Sequence, residues 1–409
     1  MRHNRTKLVL MALVLSVILA GSVSAQFRDD FNGPLKKDPD GVKGWAFFTG
    51  EGKAVMDLRR GDGWASIVVD ATRDRRNVWW ALIKHRVSDL LDLSRLKDPA
   101  FALRVEARIR ASAAPRRVNL HLNTQRTVDF HTHLMEYDIP DTTNWHTISM
   151  TSHGFLAAPG DTVNAQMALM DWGLGQYRVD IDYFKVDVVN TAEAGPDVGN
   201  PVPYHPPVPD PKSFAQAVSP IEEGMVDVHN PDVNFSSWSA RDGGKTTDLL
   251  TVSGTQYVIL RWDLAAHAGK RLSGPGLLEM TTHSLERNAD ELPDFGQVRV
   301  VEIVGGDPRW ARQTVTFNSL CRDQQPDRVI LPQMIIDWPV TEGAGGKTYF
   351  VISKPALQRL IDGKTLGIAL RPLGAINASF CSRKAEGGKF APRLLFNLGS
   401  DQDKHNKIN

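Results

Sequence analysis

The densest run of chemistry-bearing residues is Asn119–Asp138, NLHLNTQRTVDFHTHLMEYD, which holds three of the chain's 12 histidines. If Val118–Leu122 is a strand with Leu120 and Leu122 inward, then Asn119, His121 and Asn123 share the outward face. A turn over Gln125–Asp129 would lead into a second strand carrying His131 and His133 on one face. Antiparallel pairing would then set His121 near His133, with Gln125, Arg126 and Glu136 alongside. Two chemistries fit, against the plainer reading of a polar sheet face that merely binds ligand or water. His131-x-His133, extended by His121, has the form of a metal-ligand element. Arg126 with Gln125 or Asn123, His121 or His133 as base, and Tyr137 as acid are the types that β-elimination or hydrolysis of a sugar polymer needs. A polar sheet face that only binds a ligand needs the same residues without their convergence.

Tryptophans and arginines give a second signal. Six of the ten Trp lie before residue 190, and Trp79 and Trp80 are adjacent, so on one strand they point to opposite faces. Aromatic faces cover the apolar faces of sugar rings, which makes Trp79 and Trp80 candidate substrate contacts. Arg73, Arg75 and Arg76 precede that pair, and Arg116 and Arg117 precede Asn119; such forks suit carboxylates or sulfates of acidic glycans. The substrate-binding candidates are therefore Arg76, Trp79, Trp80, Asn119, Asn123 and Gln125. Asp180, Asp182 and Asp187 alternate on a late strand and, with Asp29 and Asp30, form a candidate structural Ca²⁺ site. No other cofactor is expected.

The elements that must position these residues are strands. Ala65–Val69, Phe101–Ile109, Val118–Leu122, Trp145–Met150 and Tyr177–Val189 alternate at period two. In the last, Val179, Ile181 and Tyr183 oppose Asp180 and Asp182. One helical turn is expected over Ser88–Leu96 with Ser88 as its cap. After residue 214 the pattern repeats at Leu249–Val252, Gln256–Asp263, Leu277–Thr282, Gln297–Val304, Tyr349–Ile352, Leu366–Arg371 and Arg393–Leu398. Pro355–Gly363 reads as a helix with Pro in its first turn and Gly363 at its end. The fold class is all-β, two antiparallel jelly-roll-like sandwiches.

Residues 191–212 contain seven prolines and no amphipathic period, the composition of a semi-rigid spacer. The expected organisation is a signal peptide at 1–25, a sandwich at 26–190, a linker at 191–213, a second sandwich at 214–399 and a polar tail at 400–409. Arg2, Arg5 and Lys7, the apolar run 8–20 and Val23-Ser24-Ala25 carry the signal-peptide reading. The apolar run is too short to span a bilayer. The mature chain would be secreted, to a periplasm or outside the cell. In that compartment Cys321 and Cys381 could pair as a disulfide or stay as thiols.

The second half resembles DNRLRE-type β-sandwich modules in the order Val226–Val228, Asn234-Phe235, Leu249–Val252 and Ile259–Leu264, with a closing Pro392-Arg393-Leu394. That resemblance implies a carbohydrate-binding module. The first half is similar in architecture to jelly-roll modules of polysaccharide-degrading proteins. Asp29-Asp30-Phe31-Asn32-Gly33 followed by Trp45 is their entry, and Tyr177–Val186 their final strand. In the second half Asp227, Asp232, Asn234, Trp238 and Arg241 could form a loop-end site or a packed turn.

The chain has 409 residues with 48 Lys and Arg against 47 Asp and Glu. Removing Arg2, Arg5 and Lys7 with the leader leaves 45 basic against 47 acidic residues. This balance excludes a broadly basic nucleic-acid binder and polybasic membrane attachment. Composition that is 42% hydrophobic and 23% charged excludes a disordered chain. No serine-hydrolase elbow, HExxH helix, Walker loop or dinucleotide fingerprint occurs. The expected function is engagement of polysaccharide, with a lyase or glycosidase, or a non-catalytic adhesion protein, as alternatives.

Overall fold

Period-two alternation becomes strand through both halves of a computed structural model. It describes residues 26–50, 52–74, 80–236, 240–242, 245–247, 249–287 and 295–399. The leader, Arg75, Arg76, Trp79, Trp238, the Arg241 side chain and the polar tail lie outside the described residues. Twelve strands build the first half. They are β1 (Gln26–Asp29), β2 (Ala46–Thr49), β3 (Val55–Arg60), β4 (Ala65–Asp70), β5 (Trp80–Arg86) and β6 (Phe101–Ala111). Then follow β7 (Arg116–Thr124), β8 (Leu134–Ile139), β9 (His146–Ser152), β10 (Val163–Met170), β11 (Gln176–Asn190) and β12 (Pro201–Val202).

They form two antiparallel sheets, β3-β4-β11-β6-β9 with β1 on β11, and β12-β8-β7-β10-β5-β2. Alternate residues of both meet in one core, where Val105, Ile109, Val179 and Ile181 face Ile83, Leu120, Leu122 and Met167, all fully buried. Burying such side chains contributes roughly 1.5–3 kcal/mol each. A bulge between Ile181 and Tyr183 breaks the expected alternation of β11. Beyond it Phe184, Val186 and Val188 take the core side, and Tyr183 turns outward to donate to Glu106 (2.8 Å). The expected turn at Ser88–Leu96 is two 3₁₀ turns, and the side-chain cap of the second is Asp92, which accepts from Ser94 N.

The second half continues with β13 (Gln216–Val218), β14 (Glu222–Asp227), β15 (Ala240–Asp242), β16 (Lys245–Thr247), β17 (Leu249–Ser253) and β18 (Gln256–Arg261). It closes with β19 (Gly276–Arg287), β20 (Gln297–Ile303), β21 (Ile330–Trp338), β22 (Lys347–Ile352), β23 (Gly367–Leu373), β24 (Ile376–Cys381) and β25 (Arg393–Phe396). β19 pairs with β22 and β25 within residues 276–281 and with β24 from Thr282 on, its register to β24 shifting between Thr282 and Ser284. One face of β14-β18-β23-β20 packs into the sandwich core through Met225, Val258, Leu260, Val300 and Leu370. The opposite face, through Val226, Ile259, Val301 and Ala369, is covered by Trp310, Val315 and the short helix α1 (Phe317–Cys321). A capping box between Thr316 and Ser319 starts α1. The expected second helix is α2 (Lys354–Ile361), with Pro355 in its first turn and Gly363 at φ 67° just past its end.

Both cysteines are free thiols, so the disulfide expected as one option is not formed. Cys321 ends α1 inside the outer apolar layer, where burial pushes its thiol pKa up to about 11, while Cys381 ends β24.

The Pro-rich segment is not a free spacer. β8 and β9 would otherwise present unpaired amides at one side of the first sandwich. The carbonyls of Val198 and Asn200 accept from Ser149 N (3.1 Å) and Asp138 N (2.9 Å), and β12 pairs with β8. Arg104 donates to the carbonyls of Ala194, Gly195 and Pro196, each at 3.0 Å. Proline lacks the amide donor but keeps its carbonyl, so a proline-rich strand can serve an edge as acceptor.

Buried charge joins the two halves. Arg117 donates to Glu136 (2.8 Å) and to the Ile335 carbonyl (2.8 Å), while its amide donates to Gln333 Oε1 (2.6 Å). Arg299 lies between Asp171 (3.0 Å) and Asp337 (2.8 Å), and burial pushes the Asp171 carboxyl pKa up. Arg359 on α2 forks onto Asp138 (2.7 and 2.8 Å) and also holds Glu302 (2.7 Å). Such pairs add little net stability over an apolar contact, but removing one partner strands the other, so they fix one relative placement.

Candidate functional site

The outer face of β12-β8-β7-β10-β5-β2 carries amides, an imidazole and aromatic rings in aligned rows. One row reads Lys84, Gln166, His121 and Leu134, and the next reads Phe48, Leu82, Ala168, Asn119 and Glu136. Asn123 and Asn164 pair above them, and Trp80 pairs with Met170 below. Phe48 and Trp80 meet edge to face (5.4 Å) at the β2 margin, with Lys84 Nζ 5.7 Å from the Phe48 centroid. At the opposite margin, His131 stacks on Tyr204 (4.3 Å, 13°), just beyond β12. Phe130, 58% exposed, sets its ring 5.8 Å from His121.

Two buried polar atoms on this face, His121 Nε2 and Asn119 Oδ1, have no hydrogen-bond partner among the described residues. Each costs about 1–3 kcal/mol unless an outside group bonds it. Burial first, then His133 and His131, push the His121 pKa down to about 4. The imidazole is therefore neutral at physiological pH and can donate from one nitrogen while accepting at the other. Asn119 Nδ2 donates to Met170 Sδ (3.1 Å).

The four residues expected to act together are distributed over three environments. His121 stands on the outer face as the β7 alternation requires. Tyr137 lies on the core side, 1% exposed, with its hydroxyl donating to the Ser149 carbonyl (2.5 Å). Burial also raises its pKa well above a phenol's usual value, and its hydroxyl faces the core rather than the outer sheet face. Arg126 and Gln125 both bind Asp161 (2.9 and 2.7 Å), tying down the turn. His133 pairs with Ser152 Oγ (2.6 Å) and packs on Phe155. Arg126 and His133 line one shallow cavity of about 270 Å³ that neither His121 nor Tyr137 reaches.

His131 and His133 do not share a strand, because β8 starts only at Leu134 and residues 130–133 form turns. The Asp129 carboxylate accepts from His131 N and holds that turn. Among the described residues no group of three His, Cys, Asp or Glu could hold a metal ion. The carboxylates expected to bind Ca²⁺ are otherwise committed. Asp29 accepts from Trp45 Nε1 (2.9 Å), and Asp182 pairs with Arg108 (2.9 Å). Asp180 takes Ser66 (2.7 Å), Arg110 (2.9 Å) and Arg178 (2.9 Å). Arg117, read as a fork for acidic glycans, serves the junction of the two halves instead. In the second half Asp227 accepts from the amides of His229 and Asn230, a packed turn.

Sequence reasoning missed Asn164, Gln166 and Met170 of β10 and Phe48, the ring that Trp80 meets at the margin. The β10 signal was available: Asn164 and Gln166 alternate with the core residues Val163, Ala165 and Met167. Tyr204 was hidden by its proline-rich context.

No family model matches the chain, and no curated protein matches it. Similar solved structures include the family 11 carbohydrate-binding module from Clostridium thermocellum in complex with a β-1,3-1,4-mixed-linked tetrasaccharide. It is 14% identical, with 41% of this chain and 97% of that one covered and a TM-score of 0.26. Another is the CBM22-1 xylan-binding domain of Xyn10C from Paenibacillus barcinonensis, at 11% identity, 40% and 94% coverage and a TM-score of 0.25. Likeness at this level identifies neither a family nor a ligand.

Proposed function

We propose that the chain binds polysaccharide on the outer face of β12-β8-β7-β10-β5-β2. The observation that carries the reading is the composition of that face: Asn123, Asn164, Gln166 and His121 stand between the Phe48–Trp80 pair and the His131–Tyr204 stack. Rings cover the apolar faces of sugars while amides and a neutral imidazole exchange hydrogen bonds with hydroxyls. β5 and β12 stand four strand spacings apart, roughly 19 Å at about 4.8 Å each, so the face is wide enough for several sugar rings of a chain. Lys84 and Arg86 are the cations of β5 on this face and extend the proposal to polymers bearing carboxylates or sulfates. Export, which the basic and apolar leader implies, would put the protein where such polymers occur.

Affinity electrophoresis of the protein through gels containing neutral and acidic polysaccharides tests the reading. At least one polymer should retard the protein, and Gln166→Ala should weaken that retardation. Migration unchanged by every polymer overturns the proposal. Growth of ultraviolet absorbance or of reducing ends in the same mixtures would reveal a lyase or a glycosidase, which the scattered His121, Arg126, His133 and Tyr137 do not support.

A further inference from the structure

We propose that the second half supplies one wall of the polysaccharide groove, so that a bound chain touches both halves at once. This rests on the sheet-face reading above and extends it to residues beyond position 290. Where the lower row of the face ends, a cavity of about 180 Å³ opens at the junction. Trp80, Met170 and Tyr204 line it from the first half, and Phe295, Met334 and Leu373 from the second. The same Trp80 and Tyr204 bound the polar face at its two margins, so groove and cavity are continuous through those rings. A second, smaller recess lined by Tyr204, His205, Met334 and Leu373 extends the second-half wall toward β12.

Two features separate this opening from an imperfect fit between packed sandwiches. Its base is ionic and closed, formed by Arg117 with Glu136 and by Arg299 between Asp171 and Asp337. Above that base the wall is apolar, and Phe295 remains 45% exposed at the mouth. An apolar wall facing Trp80 across a gap matches two faces of a sugar ring. A base of paired charges keeps the gap from closing, because collapse would have to break buried ion pairs. The Arg299 fork is a positioning element: it holds β20 and β21 at fixed distance from Met170.

The test uses the full chain and a polymer that retards it. Phe295→Ala should weaken affinity for oligosaccharides of that polymer about tenfold, the usual scale for truncating an aromatic anchor. Its melting temperature should stay within about 2 °C, since the ring is half exposed. Hydroxyl-radical footprinting with the oligosaccharide bound should protect Phe295 and Met334 together with Trp80. If Trp80→Ala lowers affinity while Phe295→Ala does not and the footprint stops at Trp80, the second wall is refuted and the sheet-face reading stands. If no polymer binds the parent protein, both fall.

Discussion

The first sandwich has two outer faces built from similar strands, and they spend their polar groups in opposite ways. On the β3-β4-β11-β6-β9 side, charge is matched on the spot. Arg108 meets Asp182, Arg110 and Arg178 meet Asp180, and Lys185 meets Asp187 (2.6 Å). Its aromatic rings are occupied too, Arg110 lying over Trp145 (4.8 Å) and Arg28 over Tyr183 (4.6 Å). The β12-β8-β7-β10-β5-β2 side uses amides and a neutral imidazole and sets rings at the margins. Among the described residues it leaves His121 Nε2 and Asn119 Oδ1 buried without a partner, against Asp187 Oδ1 alone among the outward side chains of the other sheet's strands. Both faces look polar and aromatic by composition. Partnership decides which one recruits something from outside.

The contrast breaks first at Asp180, 1% exposed and bonded to Ser66, Arg110 and Arg178. Asp180→Ala should cost about 2–3 kcal/mol, read by denaturant unfolding, because three donors lose an acceptor at once. Polysaccharide retardation of the folded variant should not change. A loss of binding there would mean that the paired face also recruits ligand.

Next comes the acid response of His121. Its folded pKa, about 4, lies below the unfolded value of about 6.5, so the unfolded chain takes up the proton first. The stability tied to the neutral ring is complete above pH 6.5 and is lost as pH falls toward 4. Between pH 7 and 5 the loss should be roughly 2 kcal/mol. His121→Gln should flatten the melting temperature over that interval, and an unchanged slope would remove His121 as its source.

Trp80→Ala should lower affinity for a bound polymer about tenfold, about 1.4 kcal/mol, with little change in stability. The smallest effect belongs to Arg108→Ala. Arg108 and Asp182 form an exposed pair, side chains 45% and 33% accessible, so denaturation should shift by less than about 0.5 kcal/mol. A larger shift would show the pairs on that face acting as a network.

Alternation made both sandwiches legible, because a half-buried strand must repeat at two residues and these strands do. Ala65–Val69, Phe101–Ile109, Val118–Leu122 and the β11 run stand where the pattern puts them. The helix at 354–361 was equally plain from Pro355 and Gly363. Tyr137 follows the same rule: Met135, Tyr137 and Ile139 alternate with Glu136 and Asp138, so its core position is legible in the sequence. The bulge at Ile181/Tyr183 was not, since one extra residue leaves composition unchanged and only the partner strand reveals it. His131-x-His133 misled for another reason: its alternation resembles a strand, but the Asp129 side chain binds the backbone locally and turns it. The polar face was half visible, β7 having been found and β10 overlooked. Its second wall lies more than 120 residues beyond β10 and leaves no local pattern.

The proline-rich strap changes how strong the junction must be. Because residues 197–202 lie hydrogen-bonded along β8 and β9, the second half is released from a fixed point beside its docking surface. Docking is then an intramolecular event, governed by an effective concentration in about the millimolar range for a short tether. An interface that would dissociate between separate molecules stays closed under that condition. The junction is thereby relieved of close apolar packing, and ion pairs around an opening are sufficient to hold it.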